Sequence, residues 1–405
     1  MKRYTFSLIL GIGIILLSVS FVNWLINPYD IFESPDIDGI NSYKSEVGRH
    51  TRLSRVYQVN RVEPEVILLA SSRGLVVPES LLSLDGLQGL NLSLPSASTY
   101  ELLRMMQHAN AVRPLKKAVL ALDESFSGMK QPGFVESRLS VHSDNMLNKD
   151  AWLQEFRDRF QSLLSFDALR SSIRTITNQK EDPESGNSER YHAERVRNAG
   201  GHRQMFRNME ASLFSDFKGN EDKCNAVDER SEPGESEYFI YFKKIVELAY
   251  RDKIDLYIYF SPIHARLYEA ECMLGMRGAY SSMKRQVVTT VETIAHQYGV
   301  DPYPVWDFSG YNEVTTENIP EINNTDEIMT WYWEGSHYTK ETSNEIFNRI
   351  FDNEGYLAGF GTRITTNNID AHLVDIDMQR LIYLRSHQDD IAELHELFRE
   401  SRLVH

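Results

Sequence analysis

The chain has 405 residues, 41% of them hydrophobic, with 43 Lys and Arg against 58 Asp and Glu, a formal net charge of −15. That acidic balance argues against nucleic acid as a partner and against docking on anionic lipid by general electrostatics, while 20 Tyr and 19 Phe give the chain bulk for a sizeable core. No Cys/His spacing of a zinc site and no nucleotide or phosphate-loop fingerprint occurs, so neither a metal nor a cofactor is expected.

At the N-terminus, Lys2 and Arg3 precede an uncharged apolar run over about residues 4–26, the length a helix needs to cross a bilayer. Ser18-Val19-Ser20 imitates a small-x-small cleavage pattern, yet the apolar stretch continues through Ile26, longer than a secretory h-region. An uncleaved signal anchor is therefore expected, with the positive charges inside and the body of the chain outside. The two cysteines, Cys224 and Cys272, then meet an oxidising compartment, where a disulfide and two buried thiols both stand as alternatives.

Beyond the anchor, apolar runs predict strands near residues 66–70, 89–94, 117–123 and 255–260, with a shorter one at 305–307. Between and after them, apolar residues at three- and four-residue spacing predict helices over 99–112, 237–251, 279–296 and 339–351. Alternation of this kind implies an α/β fold with a parallel, doubly wound sheet. Residues 126–237 interrupt it as an insertion: 152–176 reads as helix with an apolar face, while 179–188 and 218–235 are polar and rich in Gly, Pro, Asn and Ser. This insertion is either a lid or a peripheral helical subdomain, and its segment Tyr191-His192-Ala193-Glu194-Arg195, with Arg197, His202 and Arg203, is a candidate to contact an anionic polymer. After residue 363 a single long helix is expected over about 371–399, packing on the body or on a partner. The division expected is an anchor over 1–27, one α/β domain over 28–362 and a helical extension over 363–405.

Two segments carry chemistry. The first strand runs into Ser71-Ser72-Arg73-Gly74, and Trp331-Tyr332-Trp333-Glu334-Gly335-Ser336-His337-Tyr338 places a carboxylate and an imidazole three apart just before a helix. A serine hydroxyl becomes a competent nucleophile when an imidazole takes its proton and a carboxylate orients that imidazole. Ser72, His337 and Glu334 can fill these roles. Singly, each also has an ordinary structural reading as a turn, cap or loop residue.

The arrangement resembles the SGNH (GDSL-type) hydrolase superfamily over about residues 60–352, in particular its membrane-anchored branch of alginate O-acetylation and teichoic acid D-alanyl transfer proteins. Ala70-Ser71-Ser72 occupies the family's first block, which makes Ser72 rather than Ser71 the expected nucleophile, and Glu334-Gly335-Ser336-His337 matches its Asp-x-x-His block with Glu for Asp. The oxyanion blocks depart from the family: Ser93 stands for its Gly and offers an N–H, and Asp123 stands near its Asn. An ionised Asp123 would repel an oxyanion, so either it fixes a loop or another donor such as Asn91 completes the hole. His264 and Arg73 sit at strand ends, where open α/β sheets bind ligands. His264 is a substrate-contact candidate beside a helix start capped by Ser261 with Pro262 at the first position. Arg73 is either a glycan carboxylate or phosphate ligand or half of a structural ion pair.

The resemblance implies a three-layer, flavodoxin-like α/β sandwich and a serine O-acyltransferase or esterase of the bacterial cytoplasmic membrane. Its main domain would stand on the periplasmic side, a membrane-bound acyltransferase would serve as acyl donor and an envelope glycan or exopolysaccharide as substrate. The loop aromatics Trp331, Tyr332, Trp333 and Tyr338 would suit sugar stacking. The alternative is a catalytically inactive SGNH-like domain that binds glycan or scaffolds a synthesis complex, a reading that Asp123 and Ala70 favour.

Overall fold

The computed structural model describes residues 2–123, 130–131, 133–134, 136–179, 188–216, 236–353 and 355–403, so Cys224 and the segment 218–235 lie outside it. The described residues fall into two compact units. The contacts therefore divide the chain differently from the three consecutive blocks read in the sequence. Residues 28–63, 107–114 and 132–192 join the N-terminal helix in one unit, and the rest, including everything after residue 193, forms the other.

The larger unit holds a six-stranded sheet in the order β2-β1-β3-β4-β5-β6, made of β1 (Val66–Leu69), β2 (Gly89–Asn91), β3 (Lys117–Leu122), β4 (Asp255–Phe260), β5 (Val305–Asp307) and β6 (Thr362–Ile364). The first five pair in parallel and β6 runs antiparallel to β5. β1 is buried along its whole length and β3 along all but its first residue, which is why their sequences are continuous aliphatic runs rather than alternating ones. Burying each such side chain stabilises the fold by about 1.5–3 kcal/mol. Strand order reverses direction at β1, so the crevice between the carboxyl ends of β1 and β3 is the topological switch point of the sheet. The predicted parallel α/β architecture is thus present; β6, only three residues long, gave no readable apolar run.

Helices of this unit are α7 (His202–Asp216), α8 (Glu237–Asp252), α9 (Ala265–Met273), α10 (Arg277–Tyr298), α11 (Lys340–Ile350), α12 (Ile369–Ser386) and α13 (Gln388–Leu403). The single C-terminal helix expected is two, broken at His387, and Asp389 and Asp390 in the first turn of α13 favour a new N-terminus there. This segment packs on the body of the unit. Arg266 on α9, with a fully buried side chain, bonds Glu210 on α7 and Asp390 and Glu393 on α13, and Arg203 adds two further bonds to the same acids.

The smaller unit is helical: α1 (Lys2–Ile26), α2 (Thr51–Val62), α4 (Ala151–Leu164) and α5 (Phe166–Thr177), together with the last turns of α3 (Thr99–Val112) and the start of α6 (Ser188–Ala199). Helix α1 is long and apolar enough to cross a membrane, with a mean hydropathy of 2.4 in an 18-residue window within Arg3–Ile26. Its last turns pack on α4 and α5, where Asn23 donates to the Leu163 carbonyl at 2.9 Å and accepts from the Ser172 hydroxyl at 2.9 Å. α2, which the sequence reading passed over, buries Val56, Tyr57 and Val59.

Candidate active site

Every residue of the candidate triad lies in the larger unit, at the carboxyl ends of its strands. Immediately after β1 the chain turns into a short 3-10 helix, Ser72–Val76, capped by Ser71, whose hydroxyl accepts from the Arg73 N–H. This turn is cramped. A Cβ on Gly74 would come within 2.4 Å of the Ala70 Cβ and 2.5 Å of the Ser93 Oγ, so only glycine lets the turn pack against the end of β2. The start of a helical turn leaves its first N–H groups without internal acceptors, and Ser72 occupies that position.

The loop that carries the other two residues is tied down at almost every backbone group. The Glu317 carboxylate accepts the Thr330 and Trp331 N–H groups at 2.6 and 2.9 Å. His202, fully buried, accepts the Met329 N–H and donates to the Trp333 carbonyl at 3.0 Å. Tyr332 and Tyr338 form an antiparallel bridge, and the His264 N–H holds the Gly335 carbonyl at 2.9 Å. Glu334 folds its own turn, accepting the Ser336 and His337 N–H groups at 2.9 and 3.1 Å. Here the reason for the three-residue spacing is visible: one carboxylate caps the turn and still reaches the ring.

The structure brings Ser72, His337 and Glu334 together. The Ser72 Oγ lies 2.9 Å from the His337 Nε2, and the His337 Nδ1 bonds the Glu334 carboxylate. Glu334 is buried, while Ser72 and His337 are half-buried. With Nδ1–H donated to Glu334, Nε2 is left as the acceptor that faces the serine hydroxyl. Ser71, by contrast, turns its hydroxyl to Asp123, and of the two serines only Ser72 faces the imidazole.

The remaining candidates are placed less favourably for catalysis. Asp123 accepts from Ser71 and pairs with Arg73 at 3.3 Å, while Arg73 also donates to the Ser336 hydroxyl from Nε and Nη2, both at 3.3 Å. Asp123 therefore fixes the loop and its charge is matched by Arg73, and Arg73 is the structural ion-pair partner rather than a free glycan ligand. Together they lock the serine turn to the histidine loop. Asn91 commits its amide to the Gly74 and Val77 carbonyls at 2.8 and 2.9 Å, and its side-chain oxygen takes the Ser93 N–H at 2.9 Å. Both donors expected from this segment are thereby engaged inside the protein. The Ser93 hydroxyl is buried beside Gly74 without a hydrogen-bond partner among the described residues.

His264 is a buried cap, a correction to its reading as a substrate contact. Its Nδ1 accepts the Arg266 N–H at 3.2 Å and its Nε2 bonds the Glu317 carbonyl at 2.8 Å. Burial pushes its pKa down to about 4. The cap of α9 is thus His264, not Ser261, and the helix starts at Ala265 rather than Pro262. Tyr332, Trp333 and Tyr338 are buried core, which leaves the half-buried Trp331 as the loop aromatic with a face to offer. Arg203 and His202, candidates for an anionic polymer, are engaged with carboxylates and backbone, Arg197 pairs loosely with Asp326 at 3.6 Å, and the side chains of Tyr191 and His192 lie outside the described residues. Cys272 is a free thiol whose pKa burial pushes up to about 12, far from a reactive thiolate. Sequence reasoning missed Gly74, Ser336 and Glu317 and gave His202 a different role from the loop-holding one it has; for Gly74 the signal was there, a glycine two residues after the serine in a turn.

No protein-family model matches the chain, and no curated protein does.

Proposed function

We propose that this chain is a membrane-anchored serine O-acyltransferase or esterase of SGNH type, working on an envelope or exopolysaccharide glycan outside the cytoplasm through an acyl-Ser72 intermediate. The observation that carries the reading is the continuous relay from the Ser72 Oγ, 2.9 Å from the His337 Nε2, through the ring to Glu334, at the switch point of a parallel sheet. His337 takes the proton as the Ser72 oxygen attacks the acyl carbonyl, Glu334 stabilises the imidazolium, and the proton then passes to the leaving group. The oxyanion is met by the Ser72 N–H at the start of the 3-10 turn, such a donor being worth about 3–4 kcal/mol, while the Ser93 hydroxyl stays buried beside Gly74. Water as acceptor gives an esterase and a sugar hydroxyl gives a transferase. An anchor in the same membrane as the acyl donor, a membrane-bound acyltransferase, raises their effective concentration and favours transfer.

A second reading, a non-catalytic glycan-binding or scaffolding domain, draws on the internal engagement of the Asn91 amide and the Ser93 N–H. Labelling the full-length, detergent-solubilised chain with a fluorophosphonate and mapping the adduct by mass spectrometry separates the two. An activated serine gives an adduct at Ser72 that vanishes in Ser72→Ala and His337→Ala, with turnover down about 10⁴–10⁶-fold in both and less in Glu334→Gln. Folded protein that never labels, or wild-type turnover in either alanine variant, sinks the triad and leaves the binding reading.

A further inference from the structure

We propose that the α4–α5 hairpin of the smaller unit is a second membrane contact, lying in the headgroup and acyl boundary of the leaflet from which α1 emerges. This rests on the reading that α1 spans a bilayer. On α1, residues up to Ser18 are exposed or, at Gly11 and Gly13, half-buried, and burial against the unit begins at Val19 and Ser20 and deepens at Asn23 and Ile26. The part from Arg3 to Ser18 covers about 24 Å at 1.5 Å per residue, short of the roughly 30 Å of hydrocarbon that a span must cross. Residues near Val19 to Asn23 must therefore also stand in the apolar layer or at its edge. These are the residues on which the hairpin sits, tied by the Asn23 bonds to the Leu163 carbonyl and the Ser172 hydroxyl. The corner between α4 and α5 is thus carried to the membrane boundary by α1 itself.

The hairpin's outward surface suits that place. Trp152, Phe156 and Phe160 follow at four-residue intervals along α4 and are 68%, 62% and 55% exposed; Phe166, Ile173 and Ile176 continue the apolar surface on α5. Phe156 and Phe160 stack at 6.3 Å. The polar side of each helix faces inward on Asp158, Ser162, Ser171 and Ser172, the reverse of a water-facing helix. Arg157 and Arg170, both exposed, have no hydrogen bond or ion pair to the described residues, and they flank the apolar surface as cations flank the apolar face of an interfacial helix, within reach of lipid phosphates. The acidic chain as a whole is not drawn to lipid by charge, so insertion of apolar side chains supplies the attraction.

A test uses the full chain in phosphatidylcholine vesicles, with Cys224→Ser and Cys272→Ser and a single cysteine carrying an environment-sensitive fluorophore scanned along α4 and placed at Ile14 on α1. Emission at Trp152, Phe156 and Phe160 is expected to shift to the blue and to be quenched at least twofold by lipids spin-labelled on the acyl chain. Gln161, on the other side of α4, should stay water-like. Quenching at Ile14 with none along α4 overturns the proposal while α1 remains a span. Blue-shifted α4 probes that lipid does not quench overturn it in favour of a protein partner or a second copy on this face. Loss of quenching at Ile14 as well places the failure in the membrane reading itself.

Discussion

Around Ser72 the smallest residues set the geometry. Gly74 has no room for a side chain: an added Cβ collides with Ala70 and with the Ser93 Oγ, two fixed points on the ends of β1 and β2. Gly74→Ala is expected to push the 3-10 turn away from β2, lengthen the Ser72–His337 approach beyond hydrogen-bonding distance and lower turnover at least about 10²-fold, since misplacement by an ångström has that effect. Circular dichroism should show the sheet intact. Wild-type fluorophosphonate labelling rates in this variant would show that the turn gives way at no cost. The same turn explains what the sequence could and could not tell at this scale. The grouping of Ser72, His337 and Glu334 was readable because a serine relay would demand those residue types and the three-residue spacing of Glu334 and His337. Asp123 was readable only as a problem, because whether a carboxylate meets an oxyanion or an arginine depends on where Arg73 points. Asn91 likewise looked like a donor until its carbonyl partners at Gly74 and Val77 were in view.

Helices and loops show a different pattern of legibility. Strands β1, β3 and β4 announced themselves as apolar runs, whereas the cap of α9 was misassigned because Ser261-Pro262 is the commoner signal and the histidine that caps it is an unusual choice. That choice has a consequence for pH. His264 bridges α9 and the Glu317 carbonyl as a neutral ring with its pKa pushed down by burial to about 4; beside it stand the charges of Asp390, Arg266 and His387. His202, which holds the Glu334–His337 loop at Met329 and Trp333, is shifted downward for the same reason. In the unfolded chain both rings protonate near 6.5, so between that pH and about 4 the unfolded state binds protons that the folded state refuses. Stability is full above pH 6.5 and falls as pH drops, by about 3 kcal/mol for His264 once pH passes below its folded value. His264→Asn keeps a capping acceptor without a titrating ring. Its melting temperature should start lower at pH 7.5, because the Glu317 bond is lost, and should decline less steeply than the wild type between pH 6.5 and 4. Parallel pH profiles for the two proteins would show that His264 is not the group that titrates.

At the scale of the whole molecule, the parallel sheet follows from the alternation of strands and helices, but the partition into two units does not, because each is assembled from three stretches far apart in the chain. No local signal says that residues 132–192 return to the N-terminal helix; only buried polar ties such as Asn23 to Leu163 and Ser172, and Tyr29 to Ser171, reveal it. The apolar run at the N-terminus, long and apolar enough to cross a membrane, is consequently also a piece of the fold. Ile26 is 3% exposed, the Asn41 amide donates to the Leu25 carbonyl at 2.6 Å, and Lys44 donates to the Ile26 carbonyl at 3.2 Å. A chain that starts at residue 28, the obvious cut for a soluble form, loses Ile26 from the core, about 1.5–3 kcal/mol, and several hydrogen bonds of about 1 kcal/mol each. It is expected to lose amide protection in α4 and α5 by at least tenfold in hydrogen exchange, while β1, β3 and β4 in the other unit keep theirs. A chain that starts at residue 18 retains Asn23 and Ile26 and should protect α4 and α5 as the full-length protein does. Equal protection in both truncations would mean that the last turns of α1 merely rest on the hairpin and that the unit is stable without them.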